Sequence, residues 1–328
     1  MIQNPKHIIV SRTDSIGDVV VSLPICGELK KLFPEVKITF LGRTYTKDLI
    51  SICKNVDAFE NWDNYEKMSP IDQINAFQNL QADTIIHVFP RKEIVWLAKR
   101  AKVKNRIATG RRWYTLTKCN YPLFFSRRKS NLHESQLNFK LLQPFGVSSV
   151  PDLKTISDLY GLDIPKNAAL PSFVEENLIL LHPLSKGSAV NWSLTEFEKL
   201  SSWLIQRGFQ VAITGTKDEG EKLRNRGFHF HPGVLDLTGK LSLFEFIVLI
   251  SKSRALVAAS TGPLHIAAAT GIHAIGLYSP LKPIDPSRWA PVGERAHYFT
   301  AKSHPENGEL EISHLVVAEY LLSVIKAN

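Results

Sequence analysis

Two short segments, one near each end of the chain, carry residue types that could handle a phosphorylated ligand. The first is Thr13-Asp14-Ser15-Ile16-Gly17-Asp18, between the apolar stretch His7 to Arg12 and the apolar run Val19 to Leu23. A buried strand ending in a Gly-containing turn before a helix brings Asp14, Ser15 and Asp18, two carboxylates and a hydroxyl, to the carboxyl edge of a sheet. Open α/β folds bind ligands there. The second is Ser260-Thr261-Gly262-Pro263-Leu264-His265, with an apolar strand from Ala255 to Ala259 before it and a small-residue helix from Ile266 to Thr270 after it. Thr261 is placed to cap that helix and Pro263 suits its first turn. Free N–H groups and the positive end of the helix dipole then face an anion, for which phosphate is the natural occupant. Neither segment reads G-x-G-x-x-G or G-x-x-x-x-G-K-[ST], which argues against a nicotinamide enzyme and a P-loop nucleotidase.

The elements that must position these segments alternate, strand then helix, in two blocks, which predicts parallel sheets covered on both faces. The first block has strands at His7 to Arg12, Val36 to Gly42, Thr84 to Phe89 and Arg106 to Thr109, and ends on a helix at about His133 to Leu142. A Pro-spaced connection through Pro144, Pro151, Pro165 and Pro171 reads as the interdomain linker. The second block opens at Leu178 to Leu181 and adds strands at Gln210 to Thr214, Ala255 to Ala259 and Ala274 to Leu277. Its helices fall at Leu194 to Gln206, Lys217 to Arg224, Leu243 to Ser251 and Pro263 to Ala269. The expected domains are residues 1–165 and 166–309, followed by an amphipathic helix within 310–328.

Length and composition suit this organisation. The 328 residues accommodate two domains of ordinary size, and 44% hydrophobic with 22% charged residues is a soluble globular mixture. No apolar run approaches the roughly 20 residues of a membrane helix, and the chain enters a strand without a signal peptide, so a cytoplasmic location is expected. Cys26, Cys53 and Cys119 lack zinc-like spacing and cannot all pair, so they read as reduced thiols outside any site.

Arg12-Thr13-Asp14-Ser15-Ile16-Gly17-Asp18-Val19 and Ser260-Thr261-Gly262-Pro263-Leu264-His265-Ile266-Ala267-Ala268-Ala269 together resemble the heptosyltransferase family, glycosyltransferase family 9. Between them Leu181-His182-Pro183 before Trp192, Thr214-Gly215-Thr216-Lys217-Asp218-Glu219 and Leu237-Thr238-Gly239-Lys240-Leu241-Ser242-Leu243 follow in the order and rough spacing of that family. Each motif alone is weak, and the ordered set is specific. The resemblance implies a GT-B architecture, two Rossmann-like domains with parallel sheets facing a cleft, and a final helix that packs back on the first domain. It also implies transfer of heptose from ADP-heptose to the lipopolysaccharide inner core, with inversion at the anomeric carbon, no metal and no cofactor. The alternatives are a related transferase using another nucleotide sugar, or a non-catalytic member that binds a nucleotide sugar or an anionic polymer.

Residue by residue, the resemblance assigns the base to Asp18, a position where a carboxylate capping the following helix is the plainer and compatible role. Thr261, Gly262 and His265 match the family's donor-phosphate contacts. Ser185 and Lys186, after His182-Pro183, supply a hydroxyl and an ammonium suited to a diphosphate. Glu219 falls where the family binds the nucleoside and Thr238 where it borders the base. Asp14 and Ser15 are expected on the acceptor side, with a solvated turn as the simpler role for Asp14. The chain departs from the family at Val190, where Lys is common two residues before the Trp, and at donor-side Ser260, where Asp is common.

Charge is uneven. Between Arg91 and Lys129 stand thirteen Lys or Arg against the single acid Glu93, so the segment carries +12 and the remainder of the chain −3. Such a surface attracts an acidic partner, and Arg111 and Arg112 are the candidate contacts to an anionic acceptor. The interleaved Trp113, Tyr114, Tyr121, Phe124 and Phe125 also suit peripheral contact with the inner membrane. A nucleic acid or a merely solvated basic face has the same composition, and the resemblance favours the saccharide acceptor over nucleic acid.

Overall fold

Runs of Ile, Val, Leu and Ala bounded by turn residues become strands buried on both faces, as parallel sheets require. The computed structural model describes residues 1–165, 167–168, 174–185, 187, 189–304 and 308–326. The chain divides into two units, Met1–Asp163 and Ile164–Asn328.

The first unit contributes β1 (His7–Ser11), β2 (Lys37–Gly42), β3 (Ala58–Asn61), β4 (Thr84–His87), β5 (Asn105–Thr109) and β6 (Tyr121–Leu123). They form one parallel sheet in the order β3-β2-β1-β4-β5-β6. The second contributes β7 (Ile179–His182), a short β8 (Asn191–Trp192), β9 (Val211–Ile213), β10 (Val234–Asp236), β11 (Ala255–Ala259), β12 (His273–Tyr278), β13 (Ala296–Thr300) and a short β14 (Glu309–Leu310). Its main sheet is parallel, in the order β10-β9-β7-β11-β12-β13. Counted within each unit, the strand order is the same 3-2-1-4-5-6, the doubly wound Rossmann pattern. The architecture is α/β with two Rossmann-like units.

Shared order means a shared switch point. In the first unit the crossovers diverge on either side of β1, between β1 and β4, and the Arg12–Asp18 segment leaves the carboxyl end of β1. In the second they diverge between β7 and β11, and Ser260–His265 leaves the carboxyl end of β11. Both sequence motifs therefore lie where the backbone leaves an open edge for a ligand.

Two expectations need correction. The helix anticipated at His133 to Leu142 is a short α-helix, Glu134–Phe139, continued as a 3₁₀ segment, Lys140–Phe145. Pro144 lies inside that segment and cannot donate to a continuing α-helix. Much of the Pro-spaced connection is packed on the first unit rather than free: Lys54 N donates to Gly161 O at 2.9 Å, Asp163 N to Ile52 O at 2.7 Å, and Asn55 Nδ2 to Leu159 O at 3.1 Å. Pro171 lies outside the described residues. The last helix, His314–Lys326, packs on the helix Leu194–Ile205, and its Val317, Ala318 and Leu321 are fully buried in the second unit's core. Trp192 anchors the approach to it, edge-on to Phe197 at 4.6 Å and donating through Nε1 to Ile312 O at 2.8 Å. The buried face of this helix is therefore part of the second unit's core.

Candidate functional site

The edge of the first unit is organised by a side chain the sequence reading quotes without a role. Arg12, the residue after β1, is 2% exposed and meets three carboxylates. Its Nε lies 2.9 Å from Asp14 Oδ1, one Nη holds Asp18 Oδ1, and the other lies 3.5 Å from Glu134 Oε1. Burial alone would lower its pKa, but Asp18, Asp14 and Glu134 outweigh that and raise it. Glu134, 1% exposed, is also held by Arg127. Arg127 in turn donates to Asn138 Oδ1 at 2.9 Å and Val88 O at 2.8 Å. Asn138 closes the set by donating to Val21 O at 3.0 Å, fixing the turn after the helix Ile16–Val20.

Asp18 lies in the first turn of that helix and is not its N-cap; Ser15 holds that position. One Asp18 oxygen accepts from Arg12 and the other from the Ser15 hydroxyl, so both are fixed while the carboxylate stays about one-fifth exposed. Asp14 is oriented by Arg12, and the Tyr45 hydroxyl donates to its backbone carbonyl. Burial raises the Asp14 pKa, Arg12 opposes this, and the neighbouring Asp18 charge adds to it. The structure thus brings Asp14, Ser15 and Asp18 together around one guanidinium.

Arg112 reaches the same edge. Its Nη1 donates to Pro90 O and to the Tyr114 hydroxyl, both at 2.6 Å. Its guanidinium stands 4.8 Å from the centre of the Phe89 ring, which Arg12 also approaches at 5.5 Å. Arg111 is exposed beside it.

The edge of the second unit has a different composition. Thr261 occupies the N-cap position of the helix Gly262–Thr270, with Pro263 in the first turn, but its side chain makes no capping bond. That corrects the expected cap. The hydroxyl, on a residue only 4% exposed, is buried at the start of the helix with no hydrogen-bond partner among the described residues. His265, one turn in, is 2% exposed, with its ring 6.3 Å from that of Trp289. Ser260 contacts the hydroxyl of buried Tyr278, which donates to Trp289 O. Across the switch point, His182 Nδ1 lies 3.0 Å from the Thr214 hydroxyl. Burial lowers the His182 pKa, with Glu219 opposing, so the ring is neutral.

Other donor-side candidates hold their own loops. The Ser185 hydroxyl donates to Ala189 O and Asn191 Oδ1, at 3.1 and 3.0 Å. Glu219, 5% exposed, accepts from Thr216 N at 2.7 Å in a capping box for the helix Lys217–Asn225. Thr238 is turned to Asp236 Oδ1, with its hydroxyl at 2.6 Å. Gly239, at φ +69°, is required: a Cβ there would stand 2.8 Å from the Lys217 backbone, so the Thr238 loop and the Glu219 helix are held closely together. Lys186 lies outside the described residues.

Sequence reasoning missed Arg12 as organiser and the parts of the first edge that come from elsewhere along the chain: Glu134, Arg127, Asn138, Tyr45 and Phe89. The only local signal was an Arg placed directly before two closely spaced acids.

The profile of glycosyltransferase family 9 (heptosyltransferase) matches residues 96–314. A Haemophilus influenzae protein to which a glycosyltransferase activity is ascribed is 28% identical over 308 residues, 88% of this chain and 87% of its own length. Lipopolysaccharide heptosyltransferase 3 of Escherichia coli is 22% identical over 94% of this chain and 96% of its own. Among solved structures, that of E. coli ADP-heptose lipopolysaccharide heptosyltransferase II superposes with a TM-score of 0.75 at 17% identity, covering 98% of this chain and 99% of the other.

Proposed function

The chain belongs to glycosyltransferase family 9, and from that premise we propose that this glycosyltransferase moves heptose from ADP-heptose to the inner core of lipopolysaccharide, with inversion and without a metal. The observation that carries the reading is that each unit, taken by itself, bears one part of the chemistry at its switch point: a fixed, partly exposed carboxylate in the first, and in the second a helix N-terminus whose Thr261 hydroxyl has no partner among the described residues. Relatives named as lipopolysaccharide heptosyltransferases, and a neighbour named for ADP-heptose, support the donor and acceptor classes.

In this reading Asp18 takes the proton of the acceptor hydroxyl as its oxygen attacks the anomeric carbon. The bond from that carbon to the diphosphate breaks on the opposite face, which inverts the centre. The departing ADP carries the added negative charge. The N-terminus of the helix Gly262–Thr270, the Thr261 hydroxyl and the His265 ring stabilise it, with Lys186 as a further cation. Glu219 and Thr238 border the nucleoside. Asp14, Ser15, Arg111 and Arg112 meet the acceptor, whose anionic sugars suit the basic segment. The enzyme works in the cytoplasm, at the inner face of the membrane that holds the acceptor lipid.

A second reading keeps the mechanism and changes the donor. Val190 and Ser260 stand where family members often carry Lys and Asp, two groups that would read the donor. Calorimetric titration with ADP, UDP, GDP and CMP, first without metal and then with magnesium, separates the two. Selective, metal-independent ADP binding supports ADP-heptose and leads to an assay on truncated lipopolysaccharide. Preference for another nucleotide moves the donor assignment. Binding of none, with no turnover, leaves a non-catalytic member.

A further inference from the structure

We propose that the outer face formed by the helices Lys92–Arg100 and Trp113–Lys118, with the neighbouring Phe124, docks on an anionic bilayer, and that Trp113, Leu116 and Phe124 enter its headgroup region. This deepens the reading above and rests on it for the lipid-anchored acceptor.

Three large apolar side chains project here at high exposure: Trp113 at 59%, Leu116 at 48% and Phe124 at 75%. Trp113 and Leu116 are three residues apart on a helix whose Tyr114 and Thr115 are buried, so they share its outward face. Phe124 extends the same patch. Its ring lies over Gly110, where a Cβ would come within 2.9 Å of it, and Gly110 begins the loop leading into Trp113.

The cations are arranged around these rings. Lys92 Nζ stands 5.7 Å from the centre of the Trp113 ring. Lys118 Nζ and the Arg100 guanidinium stand 4.3 and 5.7 Å from that of Trp96. Lys92, Trp96 and Arg100 are spaced by four on one helix face and line a 360 Å³ cavity. Apolar tips flanked by Lys and Arg whose stems lie along aromatic rings match an interface with anionic headgroups, where rings sit at headgroup depth and ammonium groups reach phosphate. A nucleic acid needs open ring faces on which bases stack. Here the protein's own cations stand over Trp113 and Trp96, which favours the bilayer.

Position supports the same partner. Gly110 N donates to Leu123 O at 2.8 Å and Arg112 to Pro90 O, which ties the patch to the ends of β4, β5 and β6. That is the sheet edge bearing Asp18, so a bilayer docked here presents the sugars of an embedded lipid to the edge that carries the base.

The test is co-sedimentation of the full chain with phosphatidylcholine vesicles, with and without phosphatidylglycerol. It compares the wild type with Trp113→Ser/Leu116→Ser/Phe124→Ser. The wild type is expected on the phosphatidylglycerol vesicles only, with binding weakened by salt. The triple variant is expected to partition about tenfold less or weaker still, while keeping wild-type ADP affinity and wild-type turnover of a delipidated, water-soluble acceptor. Three results each overturn the proposal: a wild type that ignores phosphatidylglycerol vesicles or prefers added single-stranded RNA to them, a triple variant that binds as well as the wild type, or a triple variant that loses turnover on the soluble acceptor, which would make the patch a saccharide site. Absence of sugar transfer by the wild type would defeat the transferase reading instead, and the vesicle measurement, which needs no turnover, would still decide the surface.

Discussion

The two units have the same strand order and place their functional segments at the same point of it, yet the two edges meet opposite electrostatic demands. In the first unit the protein supplies the charge: two guanidiniums, Arg12 and Arg127, face the three carboxylates of Asp14, Asp18 and Glu134. In the second, among the described residues, the switch point carries the Thr261 and Thr214 hydroxyls, His182, whose pKa burial lowers, and a helix N-terminus, with Glu219 as the carboxylate acting on His182. In the proposed reading one edge holds its own carboxylate to receive a proton, and the other is suited to a charge the ligand brings. Residues of the first edge therefore tie function to folding, whereas Thr261 in the second can be altered for the ligand without disturbing the fold.

The largest effect should come from Asp18. Asp18→Asn keeps the shape and removes the base, so kcat is expected to fall by about 10²–10⁴ with ADP affinity unchanged, measured by single-turnover assay and calorimetry. A variant that still turns over at the wild-type rate would strip the first edge of its assigned chemistry. Arg12→Gln comes next. It leaves three carboxylates without their shared cation, and removing one partner from a buried network costs about 3–5 kcal/mol, with the lower end expected because Asp14 and Asp18 keep some water. Urea unfolding reads this, and Arg12→Gln/Glu134→Gln should recover part of it. A single variant that unfolds at the wild-type midpoint would break the contrast between the edges.

Thr261→Val sharpens the contrast from the other side. No capping bond is lost, so stability should stay within about 0.5 kcal/mol of the wild type. The proposed bond from the Thr261 hydroxyl to a charged phosphate is lost, worth about 1.5–3 kcal/mol, so ADP affinity should fall at least about tenfold by calorimetry. Marked destabilisation with unchanged affinity would make Thr261 a structural residue after all.

The same contrast explains what could be read from the sequence. All four central strands of each sheet are visible as apolar runs, because both faces of a central parallel strand are buried. The strands of these two sheets that escaped, β3, β6, β10 and β13, are their four edges, and their residues are largely half-buried or exposed, so no continuous apolar run marks them. The motif at the second edge is likewise local: Ser260 to His265 supplies strand end, turn and helix start from consecutive residues. The first edge is legible only in its near half. Glu134 lies 122 residues from Arg12, and nothing in its surroundings signals that its carboxylate joins the guanidinium after β1. The final helix shows the same limit, since its apolar face shows that it packs without showing on what.

The smallest effect concerns His182 at the second edge. His182 is buried, and its pKa lies below the ordinary value, from burial first and despite Glu219. As pH falls below about 6.5 the unfolded chain takes up a proton on this histidine before the folded chain does. Its contribution to stability is therefore present above that pH and is lost on acidification toward the folded pKa. His87 in the first unit, pushed down to about 3 by burial and by Arg106, acts in the same direction, so the sign of the overall slope cannot identify His182. The difference between two proteins can. His182→Asn keeps a polar partner for Thr214 and removes the titration, so its stability should depend less steeply on pH between about 6.5 and 5. One proton limits the change to about 1.4 kcal/mol per pH unit, read from urea unfolding at each pH. Parallel slopes for wild type and variant would mean that His182 titrates alike folded and unfolded, and that burial does not keep its ring uncharged at the second edge.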